Sequence, residues 1–137
     1  MKNKILLILI IGMVSVLSAN FAMAADAGSS TLAGNEEMLA DGIKIAQAGV
    51  ASAKAGNVDE TKDATYKSLD IMSSINSSTW DRKLQKPRGK IRKAYQMAKR
   101  MQDGKARDGD DLGAAAGYIE EGIAGLKKVQ EISQHNL

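Results

Sequence analysis

The segment 35-NEEMLADGIKIAQAGVASAKA-55 carries the clearest structural pattern in this chain of 137 residues. Its apolar side chains recur at alternating steps of four and three residues: Leu39, Ile43, Ala46, Val50 and Ala53. That spacing places them on one stripe of an α-helix. The helix is expected to end at Gly56-Asn57, because glycine adopts the left-handed conformation at helix ends without steric penalty.

Three later segments show a similar periodicity and are expected to form helices over about 58–76, over about 88–102, and from 108–111 to 133. The chain around them is rich in Ala and Lys and poor in aromatic residues, which favours helices over strands. Pro87 and Gly89 predict a long or partly helical connection between the second and third helices. Together the four segments predict an all-α fold, an antiparallel four-helix bundle over residues 35–135.

The amino terminus has the features of a secretory signal peptide. Lys2 and Lys4 precede an apolar run from Ile5 to Leu17, and the run is followed by Ala22-Met23-Ala24. Small residues at these last positions are typical of a cleavage site, so residues 1–24 are expected to be removed before Ala25. The mature protein is then expected to be periplasmic or secreted, with a disordered segment over 25–34 and no transmembrane segment.

Composition excludes several classes of function. The chain has no cysteine, which rules out disulfides, thiolate zinc sites and covalently attached haem. It also lacks a Ser/His/Asp or Cys/His arrangement, a Gly-rich phosphate loop and a Glu-x-x-His pair. An enzyme is therefore not expected. Loss of the signal peptide removes two lysines and no acid, so the mature protein is nearly neutral and its net charge predicts no partner.

Charge is nevertheless distributed unevenly, because residues 82–107 hold eleven basic side chains and one acid. Four of the basic residues belong to the predicted third helix: Arg92, Lys93, Lys99 and Arg100. In one interpretation they are solvated and face acidic residues of adjacent helices. In the other they form a docking surface for an anionic protein partner or a membrane headgroup. Nucleic acid is not an expected partner, since the protein is predicted to be exported and the patch lacks interleaved aromatic residues.

Candidate metal ligands are few. Asp108, Asp110 and Asp111 form a cluster of hard oxygen ligands, although their order does not match a calcium-binding loop, and they also suit the start of a helix. The single histidine, His135, lies near the carboxyl terminus. Met97 and Met101 stand four residues apart, so a copper(I) site is an alternative to simple core packing.

Several segments resemble the small metal-binding protein family. They are 42-GIKIAQAGVASAKAGN-57, 67-KSL-69, 91-IRK-93 and 101-MQDG-104. That family consists of periplasmic four-helix bundles of nitrifying bacteria, whose histidines bind divalent metals such as copper. The similarity covers most of residues 38–130, and it implies a four-helix bundle in the periplasm and a binding or accessory role.

This chain departs from the family at the histidines. Positions where the family tends to have histidine are held here by Ile45, Ser52, Asn57, Ala64, Ile71, Lys93 and Arg100. None of these is a good metal ligand, and two are cationic. The resemblance therefore implies fold and compartment more directly than it implies metal binding.

The chain also resembles the soluble periplasmic b-type cytochromes with a four-helix bundle. These proteins hold haem between a methionine near the start of the first helix and a histidine near the end of the last. Met38 and His135 occupy comparable places. This resemblance implies electron transfer through haem b as an alternative to divalent-metal binding, and a bundle without any cofactor that binds a protein through the basic third helix is the remaining hypothesis.

Overall fold

The computed structural model describes residues 32–75 and 78–135, and this part of the chain forms four α-helices. They are α1 (Leu32–Lys54), α2 (Val58–Ser73), α3 (Ser78–Gln102) and α4 (Leu112–His135). The predicted signal peptide, residues 1–24, lies outside the described residues, as do residues 25–31. Disorder was expected over 25–34, and this is wrong for residues 32–34, which form the first turn of α1.

The four helices form an antiparallel bundle in which each helix has two main neighbours. Helix α1 packs against α2 and α4, and α3 packs against the same two helices. The order around the bundle thus follows the order along the chain. The predicted all-α, antiparallel four-helix bundle is confirmed. The described residues contain no strand, and none of their helices is long and apolar enough to cross a membrane.

The predicted stripe of α1 lies in the core. Leu39 and Ala46 are fully buried, Ile43 and Ala53 are almost so, and Val50 packs at the edge. The other helices contribute the remaining large core side chains: Met72, Leu84, Ile91, Ile119, Ile123, Leu126 and Val129. Spacing of apolar residues therefore identified the buried face of α1 correctly, because that face repeats with the period of the helix.

Helix α2 contributes hydroxyl groups to the core as well as apolar side chains. Thr61, Thr65 and Ser68 are fully buried. The Thr65 hydroxyl donates to the carbonyl oxygen of Thr61 at 2.8 Å, and the Ser68 hydroxyl donates to the carbonyl oxygen of Gly42 in α1, also at 2.8 Å. These bonds satisfy hydroxyl groups that would otherwise destabilise a buried position.

The connection between α2 and α3 differs from the one expected. Helix α3 begins at Ser78, ten residues before the expected start at Arg88, and it continues through Pro87 for 25 residues in all. The long middle connection was therefore a wrong prediction, and the longest connection is the last, residues 103–111. Proline in a helix interior removes a hydrogen bond and costs about 3 kcal/mol in isolation, so packing must offset it.

Two glycines of α4 provide that packing. A Cβ atom built on Gly125 would lie 2.7 Å from Cγ of Pro87, and one built on Gly122 would lie 2.7 Å from Cγ1 of Ile91 and 3.0 Å from the carbonyl oxygen of Pro87. Real Cβ atoms do not approach other atoms so closely. Helices α3 and α4 are thus in close contact only because these two positions have no side chain, and the proline ring is buried where they meet.

Candidate functional site

The predicted acidic metal cluster lies in the connection between α3 and α4, where Asp110 is already engaged. Its carboxylate accepts two hydrogen bonds from the Arg100 guanidinium, at 2.6 and 2.7 Å, and a third from the backbone N–H of Arg107 at 2.9 Å. The bond from Arg100 and then that from Arg107 hold the pKa of Asp110 far below its usual range. The Asp110 carboxylate therefore holds the α3–α4 connection against the end of α3 through its bonds with Arg100.

The other two aspartates do not complete a metal site with it. Oδ1 of Asp111 accepts a hydrogen bond from the backbone N–H of Ala114 at 2.6 Å, which satisfies a donor in the first turn of α4. Asp108 is exposed to solvent. Within residues 32–75 and 78–135, no group of three or more His, Cys, Asp or Glu side chains is arranged to hold a metal ion. Metal binding by these aspartates and His135 stays a prediction.

The two residues of the haem hypothesis lie at the same end of the bundle. Helices α1 and α4 run antiparallel and pack together, so Met38, near the start of α1, is at the end of the bundle where α4 finishes at His135. Met38 is 5% exposed and packs in the hydrophobic core. The side chain of His135 lies outside the described part of the structure, and a haem site stays a prediction.

The residues at the family's histidine positions have structural surroundings of their own. Ile71 belongs to the core, and Ile45 packs against it. The buried Ser52 donates to the carbonyl oxygen of Ala48 at 3.0 Å. Asn57 caps α2, where its side chain accepts from the backbone N–H of Glu60. These positions are spread over both the core and the helix ends and do not converge on one site.

The four basic residues predicted to bind a partner have different environments. Arg100 is bound to Asp110, as described above. The ammonium of Lys93 lies 4.4 Å from the centre of the Tyr118 ring on α4, a cation–π contact. Arg92 and Lys99 are exposed. Among the described residues, neither of these two nor Lys93 forms an ion pair. Only Arg100 of the four is paired with an acid, and that acid lies in the connection between α3 and α4 and not on a neighbouring helix.

A groove along the outer contact of α3 and α4 was not anticipated from the sequence. Its volume is about 650 Å³, it is open to solvent, and we call it the α3–α4 groove. Ten residues line it: Lys83, Lys86, Pro87, Lys90, Glu121, Ala124, Gly125, Lys128, Val129 and Ile132. The lysines at 83, 86 and 90 recur at steps of three and four, which is the one signal in the sequence that they share a helix face.

The charge of the α3–α4 groove is strongly one-sided. Four lysines line it and only one acid does. That acid, Glu121, is paired with Lys90 at 2.8 Å, and this hydrogen bond raises the pKa of Lys90. Lys83, Lys86 and Lys128 are exposed and make no ion pair with another described residue. Between these charges lie apolar groups, including Ile132, which is 42% exposed.

The amino-terminal half of α1 has buried polar atoms without hydrogen-bond partners. They are Oδ1 of Asn35, Oε1 of Glu36 and Oδ2 of Asp41. Burial raises the pKa of Asp41, while nearby Lys44 lowers it to a smaller extent. Asn35 is 5% exposed and faces the bundle interior. A buried polar atom without a partner is unfavourable in general, and these three do not form a common site with the basic surface.

Comparison with known proteins does not assign the chain to a family. No protein-family model matches the chain. No curated protein and no solved structure shows significant similarity to it.

Proposed function

We propose that this chain is an exported, non-enzymatic helical-bundle binding or accessory protein that recognises an anionic protein partner through the basic surface of α3. The observation that carries the proposal is the set of exposed basic side chains on α3 that lack an acidic partner among the described residues: Arg82, Lys83, Lys86, Arg92, Lys93 and Lys99. A folded domain that is nearly neutral overall has no general need for such a concentration of one sign on one helix.

The alternative, that the basic side chains serve folding by pairing with neighbouring acids, receives less support. Between helices of the described part of the chain, the ion pairs are Lys54 with Glu120 and Lys90 with Glu121. They join α1 or α3 to α4, and neither involves an acid of α2. Exposed pairs of this kind contribute about 0–1 kcal/mol each. This small contribution to stability does not explain the remaining basic charge on α3, whereas binding of an anionic partner explains it.

Binding of a divalent metal such as copper, in the manner of the small metal-binding proteins, is the second candidate and is supported mainly by the resemblance in sequence. Two of the three aspartates proposed as ligands accept hydrogen bonds from protein groups, which a metal would have to replace. Elemental analysis and an absorption spectrum of untagged protein from its native compartment test this candidate and haem b together. Stoichiometric metal or a haem spectrum would replace the proposal made above.

The partner-binding proposal is tested by charge reversal. We would immobilise the mature protein, pass an extract of its native compartment over it, and quantify the retained proteins by mass spectrometry at low and high salt. The variant combines Arg92→Glu, Lys93→Glu and Lys99→Glu, and it omits Arg100 because that residue holds the last connection. Retention in the wild type should fall as salt rises, since screening weakens contacts between exposed charges, and the variant should lose it.

A control with the same change in net charge separates the surface of α3 from charge in general. Lys44, Lys67 and Lys127 are exposed and lie on α1, α2 and α4. Reversal of these three should leave retention unchanged. Equal retention by wild type and both variants, or no dependence on salt, would remove the proposal.

A further inference from the structure

The geometry points to the α3–α4 groove as the binding site for the partner, and to an acidic amphipathic helix as the part of the partner that binds there. This inference rests on the proposed function and makes it more specific, because it names the place on the basic surface and the chemistry of the occupant.

The rim of the groove selects for negative charge. Lys83 and Lys86 stand on the α3 side and Lys128 on the α4 side, all three exposed. Lys90 is neutralised by Glu121 at 2.8 Å. An occupant with carboxylates along both of its edges would meet ammonium groups on either side, and such complementarity favours encounter and orientation.

The floor of the groove selects for apolar side chains. It is formed by Pro87, Ala124, Gly125 and Val129, and Ile132 borders it with 42% of its surface exposed. The Pro87 ring covers Gly125, whereas Ala124 is exposed and has only a methyl group, so the surface of α4 at Ala124 leaves room for a neighbour of some bulk. Apolar groups framed by cations match a helix with leucine-like residues on one face and acids beside them.

The shape favours a helix laid along the surface over a small enclosed ligand. The lining residues of α4 extend from Glu121 to Ile132, which at 1.5 Å per residue is about 16 Å, or three helical turns. The groove is open to solvent, whereas sites for small molecules bury most of their ligand. Three turns suffice for anchors at positions i, i+3 or i+4, and i+7 of the occupant.

A second copy of this chain fits less well than a separate partner. The acidic helix of the bundle is α2, and its acids Asp59, Asp63 and Asp70 are exposed. The large apolar side chains exposed among the described residues are Tyr66 and Ile132, and Tyr66 already contacts the ring of Tyr95 at 5.9 Å. Helix α2 therefore presents acids without an apolar stripe to fill the floor.

The test uses a synthetic probe and the folded mature protein. The probe is a fluorescent 18-residue peptide with leucine on one helical face and glutamate and alanine elsewhere. Its control has the same composition with the leucines distributed around the helix. Fluorescence anisotropy should show binding of the amphipathic peptide at least about tenfold tighter than that of the control, since only the former presents its leucines together. Equal affinity for both peptides would overturn the inference.

Matched variants locate the binding. Lys86→Glu with Lys128→Glu reverses the rim, and Lys67→Glu with Lys127→Glu makes the same change in charge at exposed positions outside it. The rim variant should weaken binding of the amphipathic peptide by about tenfold or more, because like charges then oppose each other, whereas the control pair should change it less than about twofold. Ala124→Glu on the floor, compared with the exposed Ala51→Glu of α1, should give the same contrast.

All substituted positions, including Ala124, are exposed, and circular dichroism checks that each variant is folded. Unchanged peptide binding in the rim and floor variants would overturn the inference. Two further outcomes would do so by naming another occupant. One is cosedimentation with phosphatidylglycerol vesicles that only the rim variant loses, without peptide binding. The other is a dimer in sedimentation equilibrium that the same variant abolishes.

The two proposals fail in different ways when the rim variant is used in the retention experiment with native extract. One outcome is that reversal of Arg92, Lys93 and Lys99 abolishes retention, whereas reversal of Lys86 and Lys128 does not. The groove is then not the binding site, and the proposed function stands. If neither variant loses retention, the proposed function is wrong as well.

Discussion

The close contact between α3 and α4 makes a quantitative prediction about two glycines of the same helix. Gly122 lies where the helices meet, and a Cβ atom there would lie 2.7 Å from Cγ1 of Ile91 and 3.0 Å from the backbone oxygen of Pro87. Gly117 lies five residues earlier, and a Cβ atom there would have no neighbour within 4 Å. Gly122→Ala and Gly117→Ala are therefore the same chemical change in two different surroundings.

The expected magnitudes follow from two opposing effects. Alanine in an open helix position stabilises by about 0.5–1 kcal/mol relative to glycine, so Gly117→Ala should raise the free energy of unfolding by that amount. Gly122→Ala gains the same propensity but must push the helices apart, and overpacking of this kind costs about 1–3 kcal/mol. The free energies of unfolding of the two variants should thus differ by about 1–3 kcal/mol, with Gly122→Ala the less stable.

Urea denaturation followed by circular dichroism at 222 nm measures this difference directly. In a domain of this size it corresponds to several degrees in Tm, since 1 kcal/mol shifts Tm by about 4–8 °C. Ile91→Ala by itself lowers the free energy of unfolding, since Ile91 is fully buried. In that background the added cost of Gly122→Ala should be smaller, because the Cγ1 atom that the new Cβ would meet has been removed. If Gly122→Ala stabilised the protein as much as Gly117→Ala does, the close approach of α3 and α4 would be refuted.

Three further substitutions test other parts of the structure. Asp110→Asn should lower the free energy of unfolding at pH 7. The hydrogen bonds from Arg100 lower the pKa of Asp110 in the folded state below its value of about 4 in the unfolded chain. The difference in free energy of unfolding between wild type and variant should therefore shrink as the pH falls from about 4 through the lower, folded pKa. A pH series of urea denaturations checks this, and a difference that grows with acidity would contradict it. Ser68→Ala should destabilise by about 1–3 kcal/mol in the same assay, since the buried carbonyl oxygen of Gly42 loses a donor; no change would mean that the bond contributes nothing. Asn35→Leu should raise Tm, because it replaces a buried Oδ1 without a partner by a methyl group; a lower Tm would show that the amide has a favourable role.

Local patterns in the sequence were sufficient for the class of fold and for much of its detail. The stripe of α1 predicted its buried face, since helical periodicity and burial of apolar groups act within a single segment. The stop at Gly56 was equally local: the residue has φ of 81° and lies just after the end of α1. The absence of cysteine excludes thiolate sites whatever the fold.

Other features depended on residues far apart in the chain. Pro87 was expected to precede a helix and lies inside one, because its ring packs on Gly125 of another helix. Asp110 was a candidate metal ligand and is bound to Arg100, a contact that appears only once the last connection folds back on α3.

The candidate binding surface likewise has features that the sequence predicted and features that only the tertiary structure shows. The excess of basic residues near α3 was visible in the sequence, since composition is independent of packing. Whether Lys86 faces a groove, or whether Lys93 lies over Tyr118, follows from the rotation of α3 against α4. Gly122 and Gly125 allow α4 to touch α3 at Pro87. The groove beside this contact combines side chains from segments more than thirty residues apart. Periodicity acts within one helix, whereas a groove exists only between two.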